Sequence, residues 1–166
     1  MNKKLISKKR TYVLSKGNKP LGVLKFPKWY SSNAIIELRH EKIEVKQKGF
    51  WGTSFEIKKN GLTIGTITSN WKSQLKIQLK DLNKRNREFM LKAKGVFKIH
   101  YDITDEQKKT VFTLHTISSW TKFKNDYEVQ ENMLPGELNA TLLALCACFC
   151  TVIYTNHMAA SAAATG

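Results

Sequence analysis

The sequence predicts a mainly β fold: a closed antiparallel barrel wrapped around a C-terminal hydrophobic helix. Three observations point to it. Apolar and polar residues alternate with a period of two from residue 11 to about residue 131, the pattern of antiparallel strands with one wet and one buried face. One late stretch, "ATLLALCACFCTVIY" at 140–154, is apolar on every side of a helix. No segment before residue 136 shows a helical period of useful length, so nothing else can cover the apolar faces of the strands.

The strands follow in order. "TYVLS" and "LGVLKF" open the series across the turn "SKGNKP". "AIIEL" places Ile36 and Leu38 on one face, and "KIEVKQK" places Ile43 and Val45 opposite Lys42, Glu44 and Lys46. "SFEIKKNGLTIGTIT" alternates through Phe55 and Ile57, turns at Asn60-Gly61, and resumes at Leu62 and Ile64. Asn-Gly is the strongest short hairpin signal, because both residues accept positive φ. "QLKIQLK" sets Leu75, Ile77 and Leu79 against Gln and Lys. "REFMLKA" gives Phe89 and Leu91, "VFKIHYD" gives Phe97, Ile99 and Tyr101, "TVFTLHT" gives Phe112 and Leu114, and "DYEVQ" closes the series. The connections "DLNKRN" and "TDEQKK" are turn-rich. The periodicity alone marks about eleven strands. Eight strands can close on their own side chains, but a larger barrel leaves axial space, which a helix can fill.

A helix apolar all round is either buried or membrane-spanning. Spanning takes roughly 20 apolar residues, whereas the solid run from Leu142 to Tyr154 is 13 and contains Thr151. No Lys or Arg flanks it, unlike a usual membrane anchor. A barrel plug is the expected role, with an anchor as the alternative. Cys146, Cys148 and Cys150 are spaced i, i+2, i+4, so on a helix Cys148 points away from the other two. They read as small apolar residues, not as metal ligands. Three is an odd count on one segment, which argues against a disulfide scaffold and for a reducing compartment.

The chain has 166 residues and a net charge of +15, enough length for one core in one domain. Residues 1–100 hold 24 Lys/Arg against 6 Asp/Glu, and residues 101–166 hold 4 against 7. Such an excess attracts nucleic acid, acidic lipid or acidic protein; a Lys-rich solubilising surface is the plainer reading. The N-terminal cations precede no apolar h-region, because Leu5-Ile6 runs into Ser7, Lys8, Lys9 and Arg10, so no secretory signal is read. The expected organisation is a basic N-terminal arm at 1–10, one barrel domain at 11–158 with its core helix at about 137–156, and a flexible tail at 159–166. The expected location is cytoplasmic, including the inner membrane surface.

The segment "NDYEVQENMLPGELNATLLALCACFCTVIY", with the early "GNKPLGVLKF" and the hairpin "IKKNGLTIGTIT", resembles the Tubby C-terminal-like superfamily, in its LURP-one-related and phospholipid-scramblase-like branch. The resemblance spans most of residues 11–158. It implies a closed antiparallel barrel of about twelve strands around a central C-terminal helix. It also implies association with anionic, phosphorylated headgroups through basic side chains. Scramblase-like chains carry an acidic calcium-associated segment before the helix; here that region holds only Asp126, Glu128 and Glu131 and departs from the pattern.

No phosphate-binding glycine loop, HExxH, nucleophile elbow or CxxC pair occurs, so neither catalysis nor a cofactor is expected. His40, His100, His115 and His157 are scattered in sequence and read as satisfied or solvent-facing. Asp102, Asp105 and Glu106 read as a hairpin tip. The candidate anion or lipid site is Lys84, Arg85 and Arg87 in "NKRNR", against the plainer reading of a solvated turn. Trp29-Tyr30, Phe50-Trp51 and Trp71 fall in or beside turns, where they cap the barrel or meet a lipid interface. The expected function is a non-enzymatic module docking on anionic lipid or phosphorylated headgroups. The alternatives are a nucleic-acid binder, or a scaffold with a C-terminal anchor. Outward strand positions are mostly Lys, Gln, Glu and Thr, which offers RNA bases little to stack on.

Overall fold

The computed structural model describes residues 2–70, 74–117, 125–134, 136 and 138–165; Trp71 and Glu137 lie outside them. Twelve strands form one closed antiparallel barrel: β1 (Lys3–Lys8), β2 (Thr11–Lys16), β3 (Lys19–Lys25), β4 (Ala34–Leu38), β5 (Glu41–Gln47), β6 (Ser54–Lys59), β7 (Leu62–Ser69), β8 (Leu75–Lys80), β9 (Asn86–Lys94), β10 (His100–Thr104), β11 (Thr110–Ile117) and β12 (Asp126–Glu131). Each strand pairs with its sequence neighbours, and β1 closes the ring on β12 with Leu5 opposite Tyr127. The helix α1 (Ala140–Ala164) packs inside. Closure leaves no strand edge to pair with another chain.

The alternation read from sequence is the one that fills the core. Ile36, Val45, Phe55, Ile57, Ile77, Phe89, Leu91, Phe112 and Leu114 are all inaccessible to solvent. On the helix, Leu142 through Thr151 and Ile153 are buried. Phe149 packs edge-on to Phe55, with ring centroids 5.0 Å apart, and stacks on Phe26 at 5.8 Å. Asn139 caps the helix, its Oδ1 accepting from the Leu142 amide at 3.0 Å. The one buried hydroxyl in the middle, Thr151, donates to the Cys148 carbonyl at 2.8 Å, which satisfies it locally. The helix has the length and composition to cross a membrane, with a mean hydropathy of 1.6 over its most apolar window. Its most apolar part nevertheless lies inside the strands.

Four expectations are corrected. Residues 1–10 are not a free arm, since Lys3–Lys8 is the strand that closes the barrel, with Leu5 buried. Without it β2 and β12 would expose unpaired backbone. The helix does not end near 156 but runs to Ala164, so most of the expected flexible tail is helical; alanine is the strongest helix former. Phe97 and Ile99 do not face the core, because β10 begins only at His100 and both residues stand exposed in the preceding turn. Leu62 is exposed at its hairpin tip and Ile64 only partly buried, because a bulge between Ile57 and Lys58 shifts the register.

The three cysteines are fully buried and unpaired. Burial pushes the Cys146 thiol up to about 12 and raises Cys148 and Cys150 as well, so all three stay protonated at neutral pH. A thiol reagent is therefore expected to label almost none of them in native protein and all three after denaturation. Rapid native labelling, read by mass spectrometry, would contradict a helix held in the barrel.

Candidate functional site

An up-and-down barrel sends alternate turns to opposite ends. The helix enters at the end formed by the turns at 17–18, 39–40, 60–61, 81–85 and 105–109, where Asn139 and Thr141 share a depression with Leu38, Arg39 and His40. It leaves among the turns at 9–10, 26–33, 48–53 and 95–99, where Val152, Ile153 and Asn156 meet Arg10, Phe26 and Trp29.

The sequence-derived cluster sits at the entry end. Asp81 organises its turn: Oδ1 accepts from the amides of Asn83 at 2.8 Å and Arg85 at 2.9 Å, and Lys84 occupies the tip with φ +59°. The Arg85 Nε lies 3.7 Å from Asp81 Oδ2. Arg87 turns to a neighbouring hairpin, giving Nε and Nη2 to the two carboxylate oxygens of Glu106 at 3.2 and 3.4 Å. The Glu106 carboxylate also accepts from the Glu88 amide at 2.9 Å, the main reason that its acidity is enhanced, with Arg87 adding to it. The structure therefore brings Lys84, Arg85 and Arg87 to one end but sets Asp81, Asp105 and Glu106 among them. A bidentate Arg–carboxylate pair of this kind leaves Arg87 little capacity for an outside anion.

The exit end is built differently. Lys9, Arg10, Lys28, Lys48 and Lys98 stand in its turns, and no carboxylate stands among the described turn residues there. Lys48 reaches Glu56 on the adjoining strand at 3.4 Å. Lys9, Arg10, Lys28 and Lys98 make no ion pair with any described residue. Large apolar side chains project between them: Trp29 (82% exposed), Tyr30, Phe50 (94%), Trp51 (86%), Val96 and Phe97. Among the described residues of the expected caps, Trp29, Tyr30, Phe50 and Trp51 are exposed and do not cap the barrel. Trp29 packs edge-on to Tyr30 with centroids 5.7 Å apart, and the Lys28 ammonium lies 5.7 Å from the Tyr30 ring centroid.

Local structure holds these tips outward. Gly49 and Gly52 both take positive φ and flank Phe50-Trp51, so the turn reverses with its two aromatics at the apex. The longer 26–33 loop is tied at both ends. The Phe26 amide donates to the Arg10 carbonyl at 2.9 Å, and Asn33 Oδ1 accepts from the Gln47 amide at 2.8 Å. Between this loop and the emerging helix lies a cavity of about 330 Å³, with Arg10, Lys28, Ser31 and Ser32 at its polar side and Val152 and Ile153 at its base. Tyr12 also lines it and stays neutral, because burial raises its phenol further. Two cations and two hydroxyls beside an apolar floor suit one end of an amphiphile.

Sequence reasoning noted these aromatics but not that they share an end, and it missed Arg10 and Lys28 as a pair. Counting strand parity would have found both, since turns after odd-numbered strands fall together. Searches of protein-family models, of curated proteins and of solved structures find no match to this chain, and the chemistry of this end is what bears on function.

Proposed function

We propose that the protein is a non-enzymatic module that docks its helix-exit end onto a membrane surface carrying anionic lipid. One observation carries the reading: the turns of that end combine exposed aromatics with cations and hold no described carboxylate, whereas the entry end mixes both signs and has no aromatic in its described turns. Trp and Tyr settle at the bilayer interface with their polar edges wet. A cation near an anionic leaflet contributes about 1 kcal/mol. The projecting part of α1 from Thr155 onward leaves from the same end and contains no Asp or Glu that would oppose contact. The resemblance to Tubby-like domains agrees with this reading. On it, the natural location is the cytoplasmic face of a membrane. Single-stranded RNA also meets aromatics and cations. Here, however, the rings stand on separate turn tips, not on a continuous sheet face.

Sedimentation with phosphatidylcholine vesicles, with and without phosphatidylserine, tests it. The expected result is binding to the mixed vesicles only, with tryptophan emission shifted to the blue. Added salt should weaken it, because the Debye length falls from about 30 Å at 0.01 M to about 10 Å at 0.1 M. Failure to sediment with anionic vesicles at low salt refutes the reading. Tighter binding to single-stranded RNA than to those vesicles favours the nucleic-acid alternative.

A further inference from the structure

We infer that His100 and His115 form a surface site for a divalent transition-metal ion of the kind that imidazole prefers, such as Zn²⁺ or Ni²⁺. The two residues are direct cross-strand partners on β10 and β11. Their neighbours Tyr101 and Leu114 point inward and are buried, so both imidazoles stand on the outer wall. Their ring centroids are 5.7 Å apart, and the planes differ by 29°. Two imidazoles sharing a tetrahedral Zn²⁺ at Zn–N distances of about 2.1 Å have centroids about 5 Å apart, so the spacing is close to that of a chelate, and rotating the two stacked rings about their side-chain bonds aims one nitrogen of each at a single ion. No backbone change is needed, because the strand pairing already fixes the two Cα positions.

The surroundings suit a cation with two protein ligands and water in the other positions. Glu128 lies opposite His115 on β12, extending the row across three strands. Its Oε1 accepts from Asn2 Nδ2 at 2.6 Å, and its carboxylate stands beside the pair as a negative charge. His115 Nε2 lies 3.0 Å from Gln130 Oε1, which leaves Nδ1 for the metal. A depression of about 650 Å³ opens beside the pair, lined by both histidines, Glu128 and Lys98. Lys98 opposes a cation there, as do Lys94 beside His100 and Lys4 beside Glu128; Asp102, which pairs with Lys94 at 2.7 Å, and Glu128 offset part of that charge. Among the described residues no group of three or more His, Cys, Asp or Glu is placed to hold a metal, so the site is an open two-histidine chelate. An ion bound here would clamp β10 to β11 at the root of the 95–99 turn that carries Val96, Phe97 and Lys98.

Calorimetric titration of the untagged protein with ZnCl₂ and NiCl₂ tests the inference. One ion per chain is expected. Loss of an outer-shell partner costs a metal site roughly 10–100-fold, so His100→Gln or His115→Gln alone should weaken binding by at least about tenfold, and the double variant should abolish it. The other two histidines, His40 and His157, serve as controls, and H40Q with H157Q should leave binding unchanged. The altered residues sit on the outer wall, so each variant should keep the native circular dichroism spectrum and thermal transition. NMR on the wild type should show Ni²⁺ broadening centred on residues near 100, 115 and 128. Absence of saturable binding overturns the site. So does retention of binding by the His100/His115 double variant, or its loss in the control.

Discussion

Deleting residues 138–166 is expected to abolish folding and not to release a soluble barrel. The helix buries Leu142, Leu143, Leu145, Phe149 and Ile153 against the inward faces of the strands. At about 1.5–3 kcal/mol for each large side chain, these five alone contribute on the order of 10 kcal/mol, which is the whole net stability of a typical domain. Their loss would also leave the inward faces of twelve strands around an empty axis, and packed interiors tolerate no void of that size. The truncated chain should aggregate or show no cooperative thermal transition by circular dichroism. A single truncation of one ring, Phe149→Ala, should cost about 3–5 kcal/mol, because that side chain meets both Phe26 and Phe55. A truncated protein that stays monomeric on size exclusion and melts sharply would mean that the helix is an appendage.

Much of this fold is legible from spacing alone, and the exceptions have identifiable causes. Period two locates strands well where both faces have unambiguous chemistry, as in "QLKIQLK", whose Leu75, Ile77 and Leu79 are all buried. It fails at ends. Phe97 and Ile99 keep the alternation that leads to Tyr101, yet Gly95 at φ +92° ends the preceding strand and the two residues ride on the turn. β1 was missed because Leu5-Ile6 is too short a run to show a period, and its place is fixed by closure with β12, over a hundred residues later. The same long-range dependence hides the candidate site. Three nearby cations at 84–87 look like an anion site in one dimension, but the partner of Arg87 is Glu106, supplied by a different hairpin. Conversely, Arg10 and Lys28 are 18 positions apart in the chain and share one cavity only because antiparallel strands return to the same end.

Replacing Phe50 and Trp51 by Ser is expected to remove most binding to anionic vesicles, while reversing Lys84, Arg85 and Arg87 to Glu at about 0.15 M salt should change it little. The two aromatics project from a turn held by glycines on either side and are almost fully exposed, so their loss leaves no cavity and should not disturb the core. An aromatic side chain presents about 150–250 Å². Sinking half of that into the interface at about 25 cal/mol/Å² is worth about 2–3 kcal/mol each, so the double change should weaken binding by about 100-fold or more. The basic turn at 81–85 lies at the far end of strands about six residues long, such as Leu75–Lys80, which at 3.3 Å per residue puts it roughly 20 Å away. That exceeds the Debye length of about 8 Å at this ionic strength. Arg87 is in addition already neutralised by Glu106. Reversing Arg10 and Lys28 to Glu should fall between the two, since each interfacial cation contributes about 1 kcal/mol and the reversed charge repels the surface. Vesicle sedimentation of the three variants, each checked for an unchanged thermal transition, decides the matter. Losses from both charge-reversal variants in proportion to the charges changed, with none from the Phe50 and Trp51 variant, would mean that diffuse positive charge binds the membrane and that neither end is a site; a selective loss from the Lys84, Arg85 and Arg87 variant would place the docking face at the helix-entry end.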